Sequence, residues 1–405
     1  MLDSKLLSFV RPIVERAATS IGPVDSAEIL PAEAYISEKF WEFEKEVIFK
    51  REWLCVGHVN EVANSGDCLP VTVLDEPALL VRDEQGVVHV LSAICQHRGH
   101  PIVGGVADHD RSAPCLNRRR LICPYHNWTY GLDGRLIGAP SMDETTPVAQ
   151  LRKTVRLPEF KSEIFHGLVF VNFDESAEPL AGRLTKLDRE LSTYPLRDLR
   201  PSHTLAQTGL KWNWKLHHEN ALEPYHTDYV HKGFHASVPS HLTKFCKFET
   251  GDGQVMRSTG FLEHGGDLYQ EKGRSLPEIP GLTKEQRNRV MFVSIMPTVV
   301  AVLQPSSVIL SVLNVRSAAI MEMRRVILYP NDAFSHGEFK RIAEENFERM
   351  KVIMMQDQAT QAALQEAYKS RYAPRGRFAA LEAAIPQLNQ WAVERYRGAL
   401  AKFAN

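Results

Sequence analysis

The stretches Cys95-Gln96-His97 and Cys123-Pro124-Tyr125-His126 decide how this chain folds and what it can bind. Each stretch offers one thiolate and one imidazole. Two such pairs match the ligands of a Rieske-type [2Fe–2S] cluster, in which two histidines replace two cysteines on one iron. A structural zinc site is the alternative, but zinc sites usually place two cysteines before two histidines, whereas here the two residue types alternate. The sequence therefore predicts an iron–sulfur domain with Cys95, His97, Cys123 and His126 as the cluster ligands.

The overall composition limits the class of protein. The chain has 405 residues, of which 44% are hydrophobic and 24% charged, which is typical of globular proteins and long enough for two domains. A formal net charge of −1 gives no indication of nucleic-acid binding. No apolar run has the length of a membrane span, and the N-terminal residues lack the pattern of a secretory signal. We expect a cytoplasmic protein with no nucleic-acid or membrane partner, whose cysteines outside the two pairs are reduced thiols.

The distribution of strands and helices predicts two domains. Residues 45–155 contain short β-rich segments separated by turns, which indicates a small all-β domain around the cluster. Residues 160–405 contain apolar strands followed by a long amphipathic helix over 337–371, a pattern typical of an α+β domain. We expect residues 1–44 to pack on this second domain. The segment 98–122 between the two Cys–His pairs is longer than a Rieske loop pair needs, and the sequence assigns it no role.

A second cluster of metal-binding residue types lies in a segment, 211–230, that the sequence predicts to be helical. His226 and His231 are five residues apart, so they converge only if the helix loosens or ends between them. Two imidazoles and one carboxylate form the facial triad of non-haem Fe(II) oxygenases. His217 and His218 are the alternative imidazoles, and we expect them to lie behind the ligands or to face solvent.

The carboxylate of this triad must come from elsewhere in the chain. Asp357 falls on the same face of the predicted long helix as Met350, Ile353 and Met354. A carboxylate inside an apolar stripe is costly unless it is paired or bound to a metal. We therefore expect Asp357 to be the third ligand. Asp332 is the second choice, because its position in a predicted turn gives it a local reason to be aspartate.

These motifs, together with Asn213-Trp214-Lys215 and Tyr225 before His226, resemble the large (α) subunit of Rieske non-haem iron aromatic-ring-hydroxylating oxygenases. The resemblance covers roughly residues 30–370. It implies a Rieske domain joined to a helix-grip (START-like) catalytic domain with an antiparallel sheet. It also implies a ring of three α subunits, in which the cluster of one subunit serves the iron of its neighbour. Because the chain lacks a dinucleotide fingerprint, we expect a separate NAD(P)H-dependent reductase with flavin or iron–sulfur centres.

The resemblance further implies a carboxylate that bridges the two histidine sites across the subunit boundary. The position three residues before the first iron histidine usually holds aspartate, and here it is Glu223. This difference resembles the branch of the family that acts on quaternary ammonium compounds such as carnitine and glycine betaine. A carboxylate in this place has a physical purpose, because it can accept hydrogen bonds from two imidazoles and fix the tautomer of both.

The expected function is that of a terminal oxygenase, a mono- or dioxygenase that uses O2, a [2Fe–2S] cluster and mononuclear Fe(II) to hydroxylate an aromatic compound. The alternative is hydroxylation or oxidative N-demethylation of a quaternary ammonium compound, with Tyr225, Tyr229 and Phe234 as an aromatic cage for the cation. A Rieske electron carrier and a helix-grip binding protein with a structural zinc domain are the two other classes. The long segment after the cluster domain and the second histidine pair argue against the carrier, and the colour of the protein would distinguish the binding protein. The sequence leaves open the substrate and whether a small β subunit accompanies the α ring.

Overall fold

The structure is a computed structural model, and it describes residues 3–102, 116–231, 237–262, 267–268 and 276–402. Contacts divide the chain into two compact units. The small unit is Leu54–Ala177, and the large unit combines Met1–Trp53 with Glu178–Asn405. The expected boundaries were 45–155 and 160–405. The small unit extends further because a strand at Leu168–Asn172 pairs with a strand at Leu54–His58, so a segment that we assigned to the catalytic domain belongs to the small unit.

Nine α-helices are found in the described part of the chain. They are α1 (Ser4–Arg16), α2 (Glu33–Ile36), α3 (Glu38–Glu44), α4 (Val148–Thr154), α5 (Thr185–Leu191), α6 (Trp214–Leu222), α7 (Thr227–Val230), α8 (Phe339–Ala367) and α9 (Ile385–Lys402). None of the helices in these described ranges is both long enough and apolar enough to cross a bilayer.

The small unit is built from three antiparallel sheets. Its strands are β1 (Leu54–His58), β2 (Asp67–Val73), β3 (Glu76–Arg82), β4 (Val88–Ser92), β5 (Leu116–Asn117), β6 (Leu121–Ile122), β7 (Thr129–Tyr130), β8 (Leu136–Gly138), β9 (Lys161–Phe165) and β10 (Leu168–Asn172). The strand orders are β4-β3-β2-β5, β6-β7-β8 and β1-β10-β9. The core contains Leu79, Leu91 and Leu121, and it includes the buried side chains of Cys95 and Cys123.

The large unit is organised around one antiparallel sheet. Its strands are β11 (Arg200–Leu210), β12 (Thr243–Phe245), β13 (Gln254–Gly260), β14 (Arg289–Ile295), β15 (Val299–Leu303), β16 (Val308–Ser317) and β17 (Ile320–Tyr329). They follow the order β11-β17-β16-β15-β14-β13-β12. Each pair of neighbours is antiparallel. The small unit, whose described part is mainly β with the single α-helix α4, and this helix-covered sheet together give the α+β architecture that the sequence predicts.

The long helix α8 covers the sheet. It has neither proline nor glycine in its 29 residues, and its buried positions recur every three or four residues, as expected of a helix with one apolar face. Ile342 and Met350 pack in one core with Ile309 and Ile327 of the sheet. This packing fixes the rotation of α8, and it therefore determines which side chains of the helix face the sheet.

Candidate metal centres

The two Cys–His pairs of the small unit lie on loops that close in the same way. In each loop the cysteine N–H donates to the carbonyl five residues later, at 2.9–3.0 Å, and the N–H four residues later donates to the cysteine carbonyl at 3.0 Å. The residue four after the cysteine has a left-handed backbone in both loops: Gly99 has φ 75° and Asn127 has φ 56°. Glycine and asparagine are the residues that adopt this conformation most readily.

These loops bring the four predicted cluster ligands together. Cys95 and Cys123 are 2% and 1% exposed, and the ring centroids of His97 and His126 are 4.8 Å apart. The Nδ1 atoms of both histidines are buried and have no hydrogen-bond partner among the described residues. Buried polar atoms are rarely left without a partner. Two orphaned imidazole nitrogens beside two buried thiols therefore fit the ligand set of a Rieske cluster.

The surroundings of these residues are buried and aromatic, and they favour the uncharged forms of the thiol and the imidazole. Burial raises the pKa of the Cys95 thiol, and burial and then the neighbouring His126 lower the pKa of His97. Cys95 Sγ shares a hydrogen bond with the Tyr130 hydroxyl at 3.3 Å. The Trp128 ring stacks on His97 at a centroid distance of 4.7 Å. We did not predict these two aromatic residues, although their alternate spacing after His126 is a strand-like signal.

In the large unit, the helix that we predicted over 211–230 is interrupted. Helix α6 ends at Leu222, its C-cap residue Glu223 is extended, and Pro224 follows, which is consistent with the bias of a residue before proline against helix. The single turn of α7 then runs between His226 and His231. The prediction of one continuous helix was wrong. The break places the two imidazoles at opposite ends of one turn, with ring centroids 5.1 Å apart.

Asp357 of α8 joins these two histidines. Its Oδ1 atom lies 2.9 Å from His231 Nε2 and 3.4 Å from His226 Nε2. One ligand atom from each of the three residues lies within 4.8 Å of the others. Two imidazole nitrogens and a carboxylate oxygen at this spacing could hold a divalent metal ion. Asp332, our second choice, is exposed in a short turn at Asn331–Ser335 and is not part of this cluster.

The pKa values of Asp357 and His226 are shifted because the carboxylate and the imidazoles of the triad interact strongly. Burial would raise the pKa of Asp357, but hydrogen bonds from His226 and His231 outweigh burial and hold that pKa well below its usual range. Burial likewise opposes the charged form of His226, yet the carboxylates of Asp357 and Glu223 raise its pKa to about 9. A metal cation at this point would replace the protons that the imidazoles otherwise share with the carboxylate.

Glu223 is hydrogen-bonded to His226 Nδ1, the ring nitrogen that is not directed at Asp357. Its Oε1 atom lies 2.5 Å from His226 Nδ1, and its Oε2 atom accepts a hydrogen bond from the His226 backbone N–H at 3.0 Å. A carboxylate on Nδ1 keeps the proton there and leaves Nε2 free to bind a metal, which is the usual arrangement around metal-binding histidines.

An amide network that we did not predict supports the triad from behind. Asn220 Nδ2 donates to Asp357 Oδ1 at 3.3 Å, and Asn220 Oδ1 accepts from Gln361 Nε2 at 2.8 Å. The Gln361 oxygen lies 3.4 Å from His217 Nδ1. His217 and His218 are 6% and 0% exposed, so of the two expected positions they do not face solvent, and His217 lies behind the ligands. Amides carry no distinctive sequence signal, because asparagine and glutamine are common on helix surfaces.

A cavity opens beside the triad. Apolar side chains of the sheet and of α8 line much of it, among them Phe292, Val302, Ile309 and Met354. The apolar strands between residues 292 and 313 supply part of its wall. Tyr225 and Tyr229 are 45% and 67% exposed and are not among the lining residues, whereas Phe234 lies outside the described residues. The expected aromatic cage is therefore not formed by these two tyrosines.

Comparison with known families agrees with this division into two metal-binding parts. The family described as "Rieske [2Fe-2S] domain" matches residues 52–160, so the small unit is a Rieske domain. The family described as "Ring hydroxylating alpha subunit (catalytic domain)" matches residues 188–398, about half of the chain. The chain belongs to the ring-hydroxylating oxygenase α-subunit family, whose two domains imply a [2Fe–2S] cluster and a mononuclear iron.

Individual relatives differ in their substrates. The chain is 32% identical over 216 residues to the carnitine monooxygenase oxygenase subunit of Acinetobacter pittii, covering 53% of this chain and 55% of the relative. It is 28% identical over 222 residues to the anthranilate 1,2-dioxygenase large subunit of Acinetobacter baylyi, covering 53% and 45%. A solved quaternary ammonium Rieske monooxygenase shares the fold with a TM-score of 0.75 at 21% identity, over 96% of this chain and 98% of that one. The alignments thus span about half the length of the curated relatives.

Proposed function

We propose that this chain is the terminal oxygenase component of a multicomponent system that hydroxylates a small organic molecule with O2. One observation carries the proposal: two imidazole nitrogens and a carboxylate oxygen converge on the wall of a largely apolar cavity, in a chain that also contains a Rieske domain. The electrons would come from a separate NAD(P)H-dependent reductase. We further propose that the protein acts in the cytoplasm.

In this proposal His226, His231 and Asp357 hold the mononuclear iron. A facial triad leaves coordination positions for dioxygen and substrate, so bound iron supplies the oxidising chemistry. The chain contributes ligand geometry and a cavity that excludes water. Asn220 keeps the Asp357 carboxylate oriented through its 3.3 Å hydrogen bond. Val302, Ile309 and Met354 surround the substrate with apolar surface.

Cys95, His97, Cys123 and His126 hold the cluster. A Rieske cluster supplies a one-electron store with a potential raised by its histidine ligands. The chain's own part is to exclude water from the thiolates and to fix the rings: the Tyr130 hydroxyl bonds to Cys95 Sγ, and Trp128 stacks on His97.

Glu223 is proposed to link the iron site to the cluster of a neighbouring copy. Both of its carboxylate oxygens bond to His226, which fixes the proton on the side of the ring away from the triad. A ring of three copies, implied by the family resemblance, would bring a cluster histidine of the next copy to the same carboxylate. Light scattering of the purified holoprotein tests the trimer, and a monomeric active enzyme would contradict it.

The proposal is tested by metal analysis followed by oxygen uptake. Anaerobically purified protein should be red-brown and contain about three irons and about two acid-labile sulfides per chain, because the cluster holds two irons and the triad one. With a surrogate reductase, oxygen uptake should depend on substrate. About two irons and no uptake indicates an electron carrier, and a colourless zinc protein indicates a binding protein.

Two substrate classes follow from the relatives. The resemblance to ring-hydroxylating enzymes, including the anthranilate dioxygenase, favours an aromatic compound and a role in its breakdown. The 32% identity to a carnitine monooxygenase subunit favours a quaternary ammonium compound. A panel of aromatic acids and methylated ammonium compounds, scored by substrate-dependent oxygen uptake, separates the two classes.

A further inference from the structure

The described lining of the cavity beside the triad has more cationic than anionic side chains. Among the described residues that line it, Arg257 and Arg325 are cationic, and Asp357 is the carboxylate. If Asp357 serves as a metal ligand, its charge is committed to the metal. The two arginines then contribute positive charge to the described lining, which favours an anionic ligand over a cationic one.

The aromatic surface of this cavity is already covered by a cation. Phe292 is the aromatic residue, histidines aside, among the described lining residues, and the Arg257 guanidinium lies 3.8 Å from the centroid of its ring. Arg257 is 3% exposed and donates to the Ala221 carbonyl at 3.0 and 3.2 Å. A quaternary ammonium group is usually bound against open aromatic faces. Here the Phe292 face is stacked against the Arg257 guanidinium, which its hydrogen bonds to Ala221 keep in place.

Arg325 is the cation best placed to meet a substrate. It lies on β17, it lines the cavity, and its Nε donates to the hydroxyl of Ser311 on β16 at 2.9 Å. This bond anchors the guanidinium against the sheet. A guanidinium is a planar fork of N–H donors that matches the two oxygens of a carboxylate.

His217 offers the same cavity a hydrogen-bond acceptor. Its Nε2 atom is buried and has no partner among the described residues. Because Gln361 Nε2 donates to Asn220, the Gln361 oxygen faces His217 Nδ1, and that nitrogen must carry the proton. Burial, with the nearby Arg325, lowers the pKa of His217 to about 3, so the ring is neutral. The Nε2 lone pair therefore has no donor unless a ligand brings one.

We propose that this cavity binds an organic carboxylate, with Arg325 receiving the carboxylate and His217 Nε2 accepting a hydrogen bond from an N–H or O–H group of the same molecule. The apolar body of the substrate would lie against Val300, Val302 and Ile309. This inference rests on the proposed oxygenase function, and it narrows the substrate to an acid that also carries a hydrogen-bond donor.

Three small probes separate the two contacts. Anthranilate carries a carboxylate and an adjacent N–H donor, benzoate carries only the carboxylate, and aniline carries only the donor. Binding to the iron-loaded holoprotein is measured by calorimetry, without reductase or O2. We expect anthranilate to bind about tenfold more tightly than benzoate, and at least tenfold more tightly than aniline, because each lost charged or buried hydrogen bond costs about that factor. Choline, a quaternary ammonium cation with an O–H group and no carboxylate, is the cationic comparison and should bind more weakly than anthranilate.

Two variants and one control assign these preferences to side chains. Arg325→Gln should remove the advantage of anthranilate over aniline. His217→Asn retains a donor towards Gln361 but withdraws the acceptor, so it should remove the advantage of anthranilate over benzoate. Arg324→Gln changes the same residue type one position along β17, where strand alternation directs the side chain to the other face of the sheet, and it should change no affinity. Melting temperatures confirm that each variant is folded.

The proposal is overturned if choline binds most tightly and Arg325→Gln leaves that affinity unchanged, or if none of the carboxylates binds. Neither result affects the oxygenase proposal, which depends on iron content and oxygen uptake. Conversely, protein that takes up no mononuclear iron contradicts the oxygenase proposal, whatever the probes do. If His217→Asn weakens benzoate and anthranilate equally, His217 shapes the cavity and makes no specific bond, which contradicts its assigned part.

Discussion

The two metal centres of this chain are organised in opposite ways. In the small unit the ligands lie on two short loops, and each loop is closed by hydrogen bonds between backbone atoms around Cys95 and Cys123. In the large unit two ligands flank α7 and the third lies on α8, more than a hundred residues later, and side chains such as Glu223 and Asn220 hold them. Backbone closure depends on local conformation, whereas side-chain closure depends on tertiary packing. The two sites should therefore respond differently to substitution, pH and loop strain.

The largest difference is expected from Asp357→Ala. The variant should lose the mononuclear iron and all turnover while it keeps the red cluster, so iron should fall from about three to about two per chain. The cause is the loss of one of three ligand atoms that lie within 4.8 Å of one another. Iron and sulfide analysis with visible absorbance measures this. The control is Asp332→Ala, an exposed aspartate that should retain three irons. If Asp357→Ala turns over normally, the carboxylate ligand lies elsewhere.

Acidification should affect the large unit first. Burial lowers the pKa of His218 to about 4 and, with nearby Arg325, that of His217 to about 3, from an unfolded value of about 6.5. The unfolded chain therefore binds more protons below pH 6.5. The contribution of these two histidines to the stability of the large unit is complete above that pH, and it falls by about 1.4 kcal/mol per pH unit for each histidine as the pH drops towards 4.

The small unit contains a histidine with the opposite behaviour. Burial would lower the pKa of His89, but its hydrogen bonds to Asp83 and Glu159 raise it. Its contribution to stability is therefore present below pH 6.5 and is lost as the pH rises through the raised value. Tryptophan fluorescence comes mainly from the large unit. At pH 5 the denaturant concentration at which this fluorescence changes should be lower than at pH 7, while the denaturant concentration at which cluster absorbance is lost should not fall. Simultaneous loss of both signals would contradict the contrast between the units.

The same contrast explains what the sequence could predict. The Cys–His pairs are local, so residue type and spacing alone were sufficient to propose four ligands that the structure brings together. His226 and His231 were also recognisable, but the helix break at Glu223 and Pro224 was missed because α6 and α7 are separated by only a few residues. Asp357 was reached through the periodicity of a long helix whose apolar face is regular.

What the sequence could not supply is information on contacts between distant segments. Gln361 and Asn220 meet only because α8 packs over α6, and nothing in their local sequence marks either amide. The orientation of Arg325 into the cavity depends on the register between β16 and β17. The small unit also extends past its expected end because β10 pairs with β1, a strand more than a hundred residues earlier. Such pairings are set by tertiary structure, and local patterns do not reveal them.

Glu223→Gln tests the link proposed between the two sites. Both metals should remain bound, because Glu223 is not a ligand, but oxidation of the reduced cluster in a single turnover should slow by about tenfold, in the range usual for losing a carboxylate partner of a ligand histidine. Rapid mixing with O2, followed by cluster absorbance, measures the rate. Glu348→Gln, which alters an exposed residue paired with Lys351 on α8, is the matched control. An unchanged rate would remove Glu223 from the link and leave it as a support for His226 only.

The smallest expected effect concerns the equivalent positions of the two cluster loops. Gly99 and Asn127 both have positive φ, so Gly99→Ala should cost about 1–2 kcal/mol by forcing a side chain into the left-handed region. Its chain neighbours aside, no atom of the described residues lies within 4 Å of the position its Cβ would occupy, so among these residues the cost is conformational and not steric. Asn127→Gly retains the conformation and should change stability by less than about 1 kcal/mol. Thermal loss of cluster absorbance compares the two variants. Equal losses, or greater loss in Asn127→Gly, would show that the loops are not closed by equivalent backbone geometry, and that the Asn127 side chain itself supports the second loop.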